Sequence, residues 1–544
     1  MVKLDFHGKE DRRWTGPRLR ASAIIGHTTT TSAKIWVRCR YEGKFHLILC
    51  QAELTGEELE IGDKEAEGYV TELGSKVVYH KSHNFRDRND RTHVFNTSGL
   101  SDGTRYHYYV FSEDTSAKDR MIIGRQTPYS FKTISKDKNS LVFGLYSCHD
   151  PFKENSGTLP WKHFFSVLEE QNADFVVGGG DQVYVDTTET DIWKWLKKIK
   201  SDLLKETKPQ ILKIMLSWYQ DVYRGYWGFP HIRRVLRSFP NYMIWDDHEI
   251  MDGWGSRSRD ELSDELDTWY EWENKKKNLM LADTMFEAAK KVYYQYQHSH
   301  NPNTAAGVFD FSLAQKHSEF YFLDMRGQRE FDLARLKKRD GKNATDRILG
   351  KQQLARLKAW LKNISKETKI VYIVSPVPVV HWTGFAVNTG DVLGAKDDFR
   401  DEWDHETNHA ERDKMLNAVF SLSHEFGEFG VPIAFLSGDV HMSAVFRLTN
   451  RKFRKAKIFQ ITSSPITRPP APGIAEIILS NEGALKTGKK DSGYRYRRLA
   501  KFHTRNFCIL KSDTLKEDGL SLYVDFYGES NDQEEILRKR IKLL

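Results

Sequence analysis

Four short apolar runs in this chain each stop at residues able to hold a metal ion, and that repetition restricts the fold more than any other feature. "LVFGLYS" leads into Cys148, His149 and Asp150. "ADFVVGGGD" ends at Asp181, with Tyr184 and Asp186 just beyond. "NYMIWDDHE" carries Asp246, Asp247, His248 and Glu249, with Asp252 following, and "VPIAFLSGDVH" ends on Asp439 and His441. In open α/β sheets, ligand sites gather at the carboxyl ends of strands. One acidic end reads equally well as a helix N-terminus, where carboxylates favour the dipole. Four such ends favour a metal site. The "DDHE" stretch has no Lys or Arg before Arg257, so a bound cation is the expected counter-charge.

Helical spacing separates the runs, in "LPWKHFFSVLEEQ", "LKIMLSWYQDVYRGYW", "GKQQLARLKAWLKN" and "ERDKMLNAVFSLSHEF". Strands alternating with helices predict an α/β (α+β) domain over residues 138–544. A helical insertion is expected at about 257–300, and the chain turns β-rich again in "KIFQITSS", "FCILKS" and "LSLYVDFYG". Residues 17–132 read differently. "SAKIWVRC" and "KFHLILC" alternate with period two, and "LSDGTRYHYYVF" places Tyr106 at the start of a strand after a turn, the pattern of a tyrosine corner. An N-terminal immunoglobulin- or fibronectin-like β-sandwich is the expectation for that segment.

The charge balance is mild, +8 over 544 residues. It helps draw in anions but gives no strong nucleic-acid signature. The basic runs "RLKKRDGKNATDR" and "RKRIKLL" read as solvated faces. Four scattered cysteines, Cys39, Cys50, Cys148 and Cys508, make no disulfide framework; Cys39 and Cys50 could pair if their strands are neighbours, but both also read as core residues. The N-terminus has no apolar signal region and no run is long enough to span a bilayer. A soluble, cytoplasmic protein is expected unless a leader has been removed. Oligomeric state is not readable.

The order strand-Cys, Gly-Asp-x-x-Tyr, Trp-Asp-Asp-His-Glu, Leu-Asp-x-Arg and Gly-Asp-Val-His resembles the PhoD-like (alkaline phosphatase D) branch of the calcineurin-like metallophosphoesterases, over roughly residues 17–470. The resemblance implies two β-sheets flanked by helices, an αββα sandwich with two metals at the strand ends. It places Cys148, Asp181, Tyr184 and His441 on Fe³⁺. It places Asp181, Asp247 and Asp439 on a divalent cation, for which hard oxygen ligands suit Ca²⁺, Mg²⁺ or Mn²⁺. The implied activity is hydrolysis of phosphate esters, as a phosphomonoesterase, a phosphodiesterase or both, by a two-metal bridging hydroxide acting on a small-molecule substrate.

His248 is the expected proton donor to the leaving group, oriented by Glu249 or Asp252, and Arg326 the expected anion clamp, with Asp324 holding it or approaching the metals. A buried salt bridge is the competing reading of that last pair. Asp150 is a candidate ligand or neighbour of the metals. Asp186 reads as a ligand or a helix cap, His149 as structural, and His381 as a packed or solvent-facing side chain. Two further readings stay open: a nuclease or phospholipid- or nucleotide-type phosphodiesterase, and a catalytically inert glycan- or protein-binding module.

Overall fold

The structure is a computed structural model that describes residues 18–137, 139–153, 157–187, 190–267, 274–383, 396–473, 475–516, 519–529 and 536–544. The expected boundary positions 17 and 138 lie outside the described residues. The architecture is mixed α/β with several sheets, as the alternating pattern requires.

Two large sheets form the centre. One runs Asn241–Ile244, Phe175–Gly179, Ser140–Tyr146, Asn506–Lys516, Gly519–Glu529 and Ile536–Lys542, with the first three parallel. The other has eight strands, in which Ser318–Phe322, Ile370–Val374, Pro432–Ser437 and Lys457–Thr462 are parallel neighbours. The inward residues of the two sheets share one core. Phe143 meets Phe320 and Tyr372 edge-on, with ring centroids 5.4 and 5.1 Å apart. That edge-to-face geometry is the one aromatic quadrupoles favour. A second core lies between the six-stranded sheet and helices including Leu159–Glu170, Lys208–Tyr226 and Lys275–Tyr296. A third lies between the eight-stranded sheet and Gly350–Lys362 and His409–Glu425. The central strands are buried on both faces, which explains their continuous apolar runs. The layering is helix, sheet, sheet, helix.

The expected insertion contains the helices Arg259–Leu266 and Lys275–Tyr296. The β-rich C-terminal segment divides between the two sheets rather than forming a unit of its own. Its basic run becomes Ile536–Lys542, an edge strand whose Arg538 and Arg540 reach Asp525. Charged side chains guard such an edge against further pairing. All four cysteines are buried and free.

The N-terminal segment holds a three-stranded and a five-stranded sheet. Ile25, Ile35, Val37 and Phe95 of the first pack with Leu47, Leu49, Tyr108 and Val110 of the second in one core. The Tyr106 hydroxyl accepts a hydrogen bond from the Ser101 amide at 2.8 Å. This segment docks on the rest through Asp90, which pairs with both Arg38 and Arg224. It also docks through a backbone bridge from Ile25 to Pro240. That bridge precedes the strand Asn241–Ile244, so docking occurs at the end of the strand opposite its acidic end.

Candidate metal centre

The four strand ends predicted from sequence do converge, and hydrogen bonds beyond the strands lace them together. Cys148 N donates to Gly180 O at 3.3 Å, His149 N to Asp181 O at 2.8 Å, and Val185 N to His248 O at 3.1 Å. Gly180 has φ of +107°, and a Cβ there would lie 2.9 Å from Asp246 Cβ, so the glycine permits the close approach of two strand ends. Cys148, Asp181, Asp439 and His441 all have positive φ, between 51° and 67°. Left-handed backbone is unfavourable for side chains with a Cβ and concentrates where function over-determines the geometry.

The side chains form two overlapping groups. In the first, Cys148 Sγ lies 3.3 Å from Asp181 Oδ2, Tyr184 Oη lies 3.2 Å from the same oxygen, and His441 Nε2 lies 3.3 Å from Tyr184 Oη. In the second, one oxygen from each of Asp181, Asp246, Asp247 and Asp439 lies within 4.8 Å of the others. Asp181 belongs to both. All six residues expected as ligands (Cys148, Asp181, Tyr184, Asp247, Asp439 and His441) therefore meet in one place.

Charge decides what this cluster needs. Of the four carboxylates, Asp246 and Asp247 alone reach a guanidinium among the described residues, that of Arg326, which donates through Nε to Asp246 and lies 3.4 Å from Asp247. Asp181 Oδ1, Asp246 Oδ2 and Asp247 Oδ1 are buried without hydrogen-bond partners. Buried carboxylates must gain protons or cations. Burial pushes the Asp181 carboxyl up to about 6, and those of Asp246 and Asp439 well above the usual range. At Asp247 burial is outweighed by Arg326 and His248, which hold it down at about 2. Burial, then Asp181, raises the Cys148 thiol and the Tyr184 phenol. A cation among these groups would draw off those protons. The donor set, with its orphaned oxygens, fits a pair of metal ions.

Several expectations need correction. Arg326 is fully buried, with Nη1 bonded to Trp254 O at 3.0 Å and to Asp401 at 2.9 Å. It supplies counter-charge inside the wall, in buried ion pairs with Asp246, Asp247 and Asp401 rather than with the Asp324 of the competing salt-bridge reading. Asp324 accepts from Trp245 Nε1 at 2.7 Å and Gly327 N at 2.8 Å; it shapes a turn and touches Arg326 only at the backbone amide. Glu249 does not orient His248. It accepts from the amides of Asp181, Gln182 and Asp246, pinning two strand ends together. The carboxylate on His248 is Asp186, 2.8 Å from Nδ1, with the Asp252 amide also bound to it. The cap of the following helix falls instead to Asp191, which accepts from Lys194 N at 2.9 Å.

Asp150 sits behind Tyr184, accepting from Tyr226 Oη at 3.2 Å and lying 3.7 Å from Arg468. His149 is buried between Thr467, Trp161 and Tyr226, held neutral by burial with its pKa near 3. His381 packs against Trp382 and Phe446.

Sequence reasoning missed Arg468. Its guanidinium stacks 4.4 Å over the Tyr184 ring, and its amide donates to Cys148 O at 3.2 Å. It follows the end of Lys457–Thr462, so the strand-end rule would have found it had cations been counted alongside acids.

The PhoD-like phosphatase family matches residues 143–504, and the chain belongs to that family, as the strand-end motifs indicate. The solved structure of PhoD superposes with a TM-score of 0.62 at 14% identity, covering 96% of this chain and 89% of that one. That likeness establishes the shared fold. Uncharacterized protein YGR266W of Saccharomyces cerevisiae is 31% identical over 152 residues. The match covers 24% of this chain, which thus spans about a fifth (21%) of that relative's length. Membership in the family supports phosphoester hydrolysis in general terms.

Proposed function

We propose that this protein hydrolyses phosphate esters with two metal ions held at the converged strand ends. The observation that carries the reading is the surplus of buried carboxylates, four against one guanidinium, with three oxygens that accept no hydrogen bond. Cys148, Asp181, Tyr184 and His441 would hold the first ion, and their thiolate and phenolate character suits Fe³⁺. Asp181, Asp247 and Asp439 would hold a divalent ion such as Ca²⁺, Mg²⁺ or Mn²⁺. When bound, the pair supplies Lewis acidity and a nucleophilic water at neutral pH.

The chain's own groups do the rest. Asp186 fixes the His248 tautomer by taking its Nδ1, which leaves Nε2 for proton transfer to the departing alkoxide. Burial lowers the His248 pKa, but Asp186, Asp247 and Asp181 more than offset this and raise it well above its ordinary value. Of these three carboxylates, Asp186 is the one hydrogen-bonded to the ring. Arg468 takes the place first given to Arg326 as anion clamp: it is partly exposed, beside Tyr184, with a planar fork suited to phosphate oxygens. Residues 17–132 are read as an immunoglobulin- or fibronectin-like sandwich, and 138–544 as the catalytic unit. The shared core of the two N-terminal sheets and the Tyr106 hydrogen bond support that division. Among the described residues no helix is long and apolar enough to cross a membrane.

The test combines metal analysis with turnover of p-nitrophenyl phosphate and bis-p-nitrophenyl phosphate. Activity on either, lost with the metals, supports the reading, and the ratio assigns monoester or diester preference. Full activity in protein free of iron and divalent metal overturns it; inertness with metals bound favours a binding module. A visible charge-transfer band that Cys148→Ser and Tyr184→Phe both leave unchanged would remove iron from those two residues.

A further inference from the structure

A second charged site lies at the other end of the molecule. A cavity of about 550 Å³ opens between the N-terminal sheets and the helix Pro230–Leu236. Its wall carries seven arginines and a single carboxylate, Asp119. Two of the arginines are answered: Arg18 lies 3.2 Å from Asp221, and Arg125 lies 2.5 Å from Glu60. The other five, Arg20, Arg40, Arg233, Arg234 and Arg237, form no ion pair among the described residues.

Three of these five guanidiniums are held in place by contacts that leave their charge intact. Arg237 stacks 4.3 Å over Tyr129, and its buried Nε has no hydrogen-bond partner. Arg233 donates to Ala21 O at 3.0 Å and to Tyr129 Oη at 3.2 Å. Arg234 stacks 4.0 Å over Phe165. Stacked, pre-positioned guanidiniums lose little freedom when they meet an anion. Like charges gathered round one cavity repel, and among the described residues the one acid of the wall, Asp119, lies 3.6 Å from Arg125 rather than against these five.

This cavity is not part of the strand-end centre. Arg237 precedes the strand Asn241–Ile244 and Asp246 follows it; four residues of strand alone separate them by about 13 Å.

We infer that this cavity is a binding site for a compact anion bearing several phosphate groups. A guanidinium fork matches phosphate oxygens two at a time. Five unanswered guanidiniums call for more negative charge than one phosphate carries, and the volume is that of a small-molecule site. A free polyphosphorylated small molecule and a polyphosphorylated inositol lipid headgroup share this chemistry.

The test is calorimetric titration of the full chain, as purified, with inositol hexakisphosphate, beside co-sedimentation with phosphatidylcholine vesicles doped with a polyphosphorylated inositol lipid. The expected result is saturable binding that weakens steeply with salt. Arg20→Glu with Arg234→Glu, both on exposed residues, should weaken it about tenfold or more per arginine. Turnover of p-nitrophenyl phosphate should be unaltered in that variant. Arg237→Gln provides a second reading from the inner wall. Arginine-dependent capture on vesicles assigns a lipid headgroup, and arginine-dependent binding in solution alone assigns a free anion. Absence of saturable binding to either probe, or binding that the double variant leaves unchanged, overturns the proposal.

Discussion

Two buried ionic clusters in this protein are built on opposite plans. At Asp90, one carboxylate is surrounded by donors: Arg38 at 3.0 and 3.2 Å, Arg224 at 2.7 Å, and the Tyr296 hydroxyl. Burial raises the Asp90 pKa, but the two arginines outweigh it and hold the group below its ordinary value. At the strand ends the ratio is inverted, with four carboxylates gathered, only two of them against Arg326, and buried oxygens that accept no hydrogen bond. The first cluster is saturated by the protein itself and fastens two parts of the fold. The second is complete only with something added. Satisfaction of hydrogen bonds, rather than burial or charge alone, separates a structural ion network from a functional one.

That contrast is broken or sharpened by substitution. The largest effect is expected at the unsaturated cluster. Asp247→Asn should cost bound metal and lower turnover by about 10⁴-fold, since metal stabilisation of the transition state is worth several kcal/mol; elemental analysis and steady-state kinetics check it. Asp90→Asn should do the converse. It leaves two guanidiniums buried with one partner fewer and should cost about 3–5 kcal/mol of stability. Turnover per folded molecule should stay unchanged; denaturant unfolding beside an activity assay reads both.

His248→Asn comes next. Both metals should remain bound while turnover of an alkyl phosphate falls by at least about 10²-fold. The loss should be smaller for p-nitrophenyl phosphate, whose leaving group departs without much help. Equal losses for both substrates would assign the imidazole to phosphate binding instead. Asp186→Asn should show a milder form of the same split, because it holds Nδ1.

The last effect concerns pH and is small per pH unit. Burial lowers the His381 pKa from 6.5 to about 3. Below pH 6.5 the unfolded chain takes up a proton that the folded protein refuses, so stability is lost as pH falls from 6.5 toward 3. His381→Phe should flatten that fall by about 1.4 kcal/mol per pH unit. Urea unfolding at several pH values measures the slope.

How far the sequence was readable follows from distance along the chain. The strands and their terminal Cys, Asp, Tyr and His residues are local patterns, and they predicted which side chains would meet. Partnerships across many residues were not local. Arg326 reaches Asp246 from 80 positions away, and Asp186 reaches His248 from 62. Read locally, "DTTETDIW" offered two aspartates for one helix cap, and only the folded chain shows that Asp191 takes the cap and frees Asp186 for the histidine. Asp401, which meets Arg326 and Arg329, lies at the end of the short helix Lys396–Asp401 and carried no strand-end signal. Period-two alternation located the N-terminal strands, but nothing in that pattern fixes the surface on which the two sheets dock.

The central claim, that the strand-end cluster is completed by cations, is tested most directly by the melting temperature of the protein before and after chelation, with Asp247→Asn measured alongside. A ligand that binds only the folded state stabilises it by about 2.7 kcal/mol at a hundredfold excess over its dissociation constant. The wild type should therefore melt several degrees lower once iron and divalent metal are removed, and recover when they are restored. Asp247→Asn should shift far less. A wild type whose melting temperature is indifferent to chelation, and which carries no metal as purified, would contradict the claim.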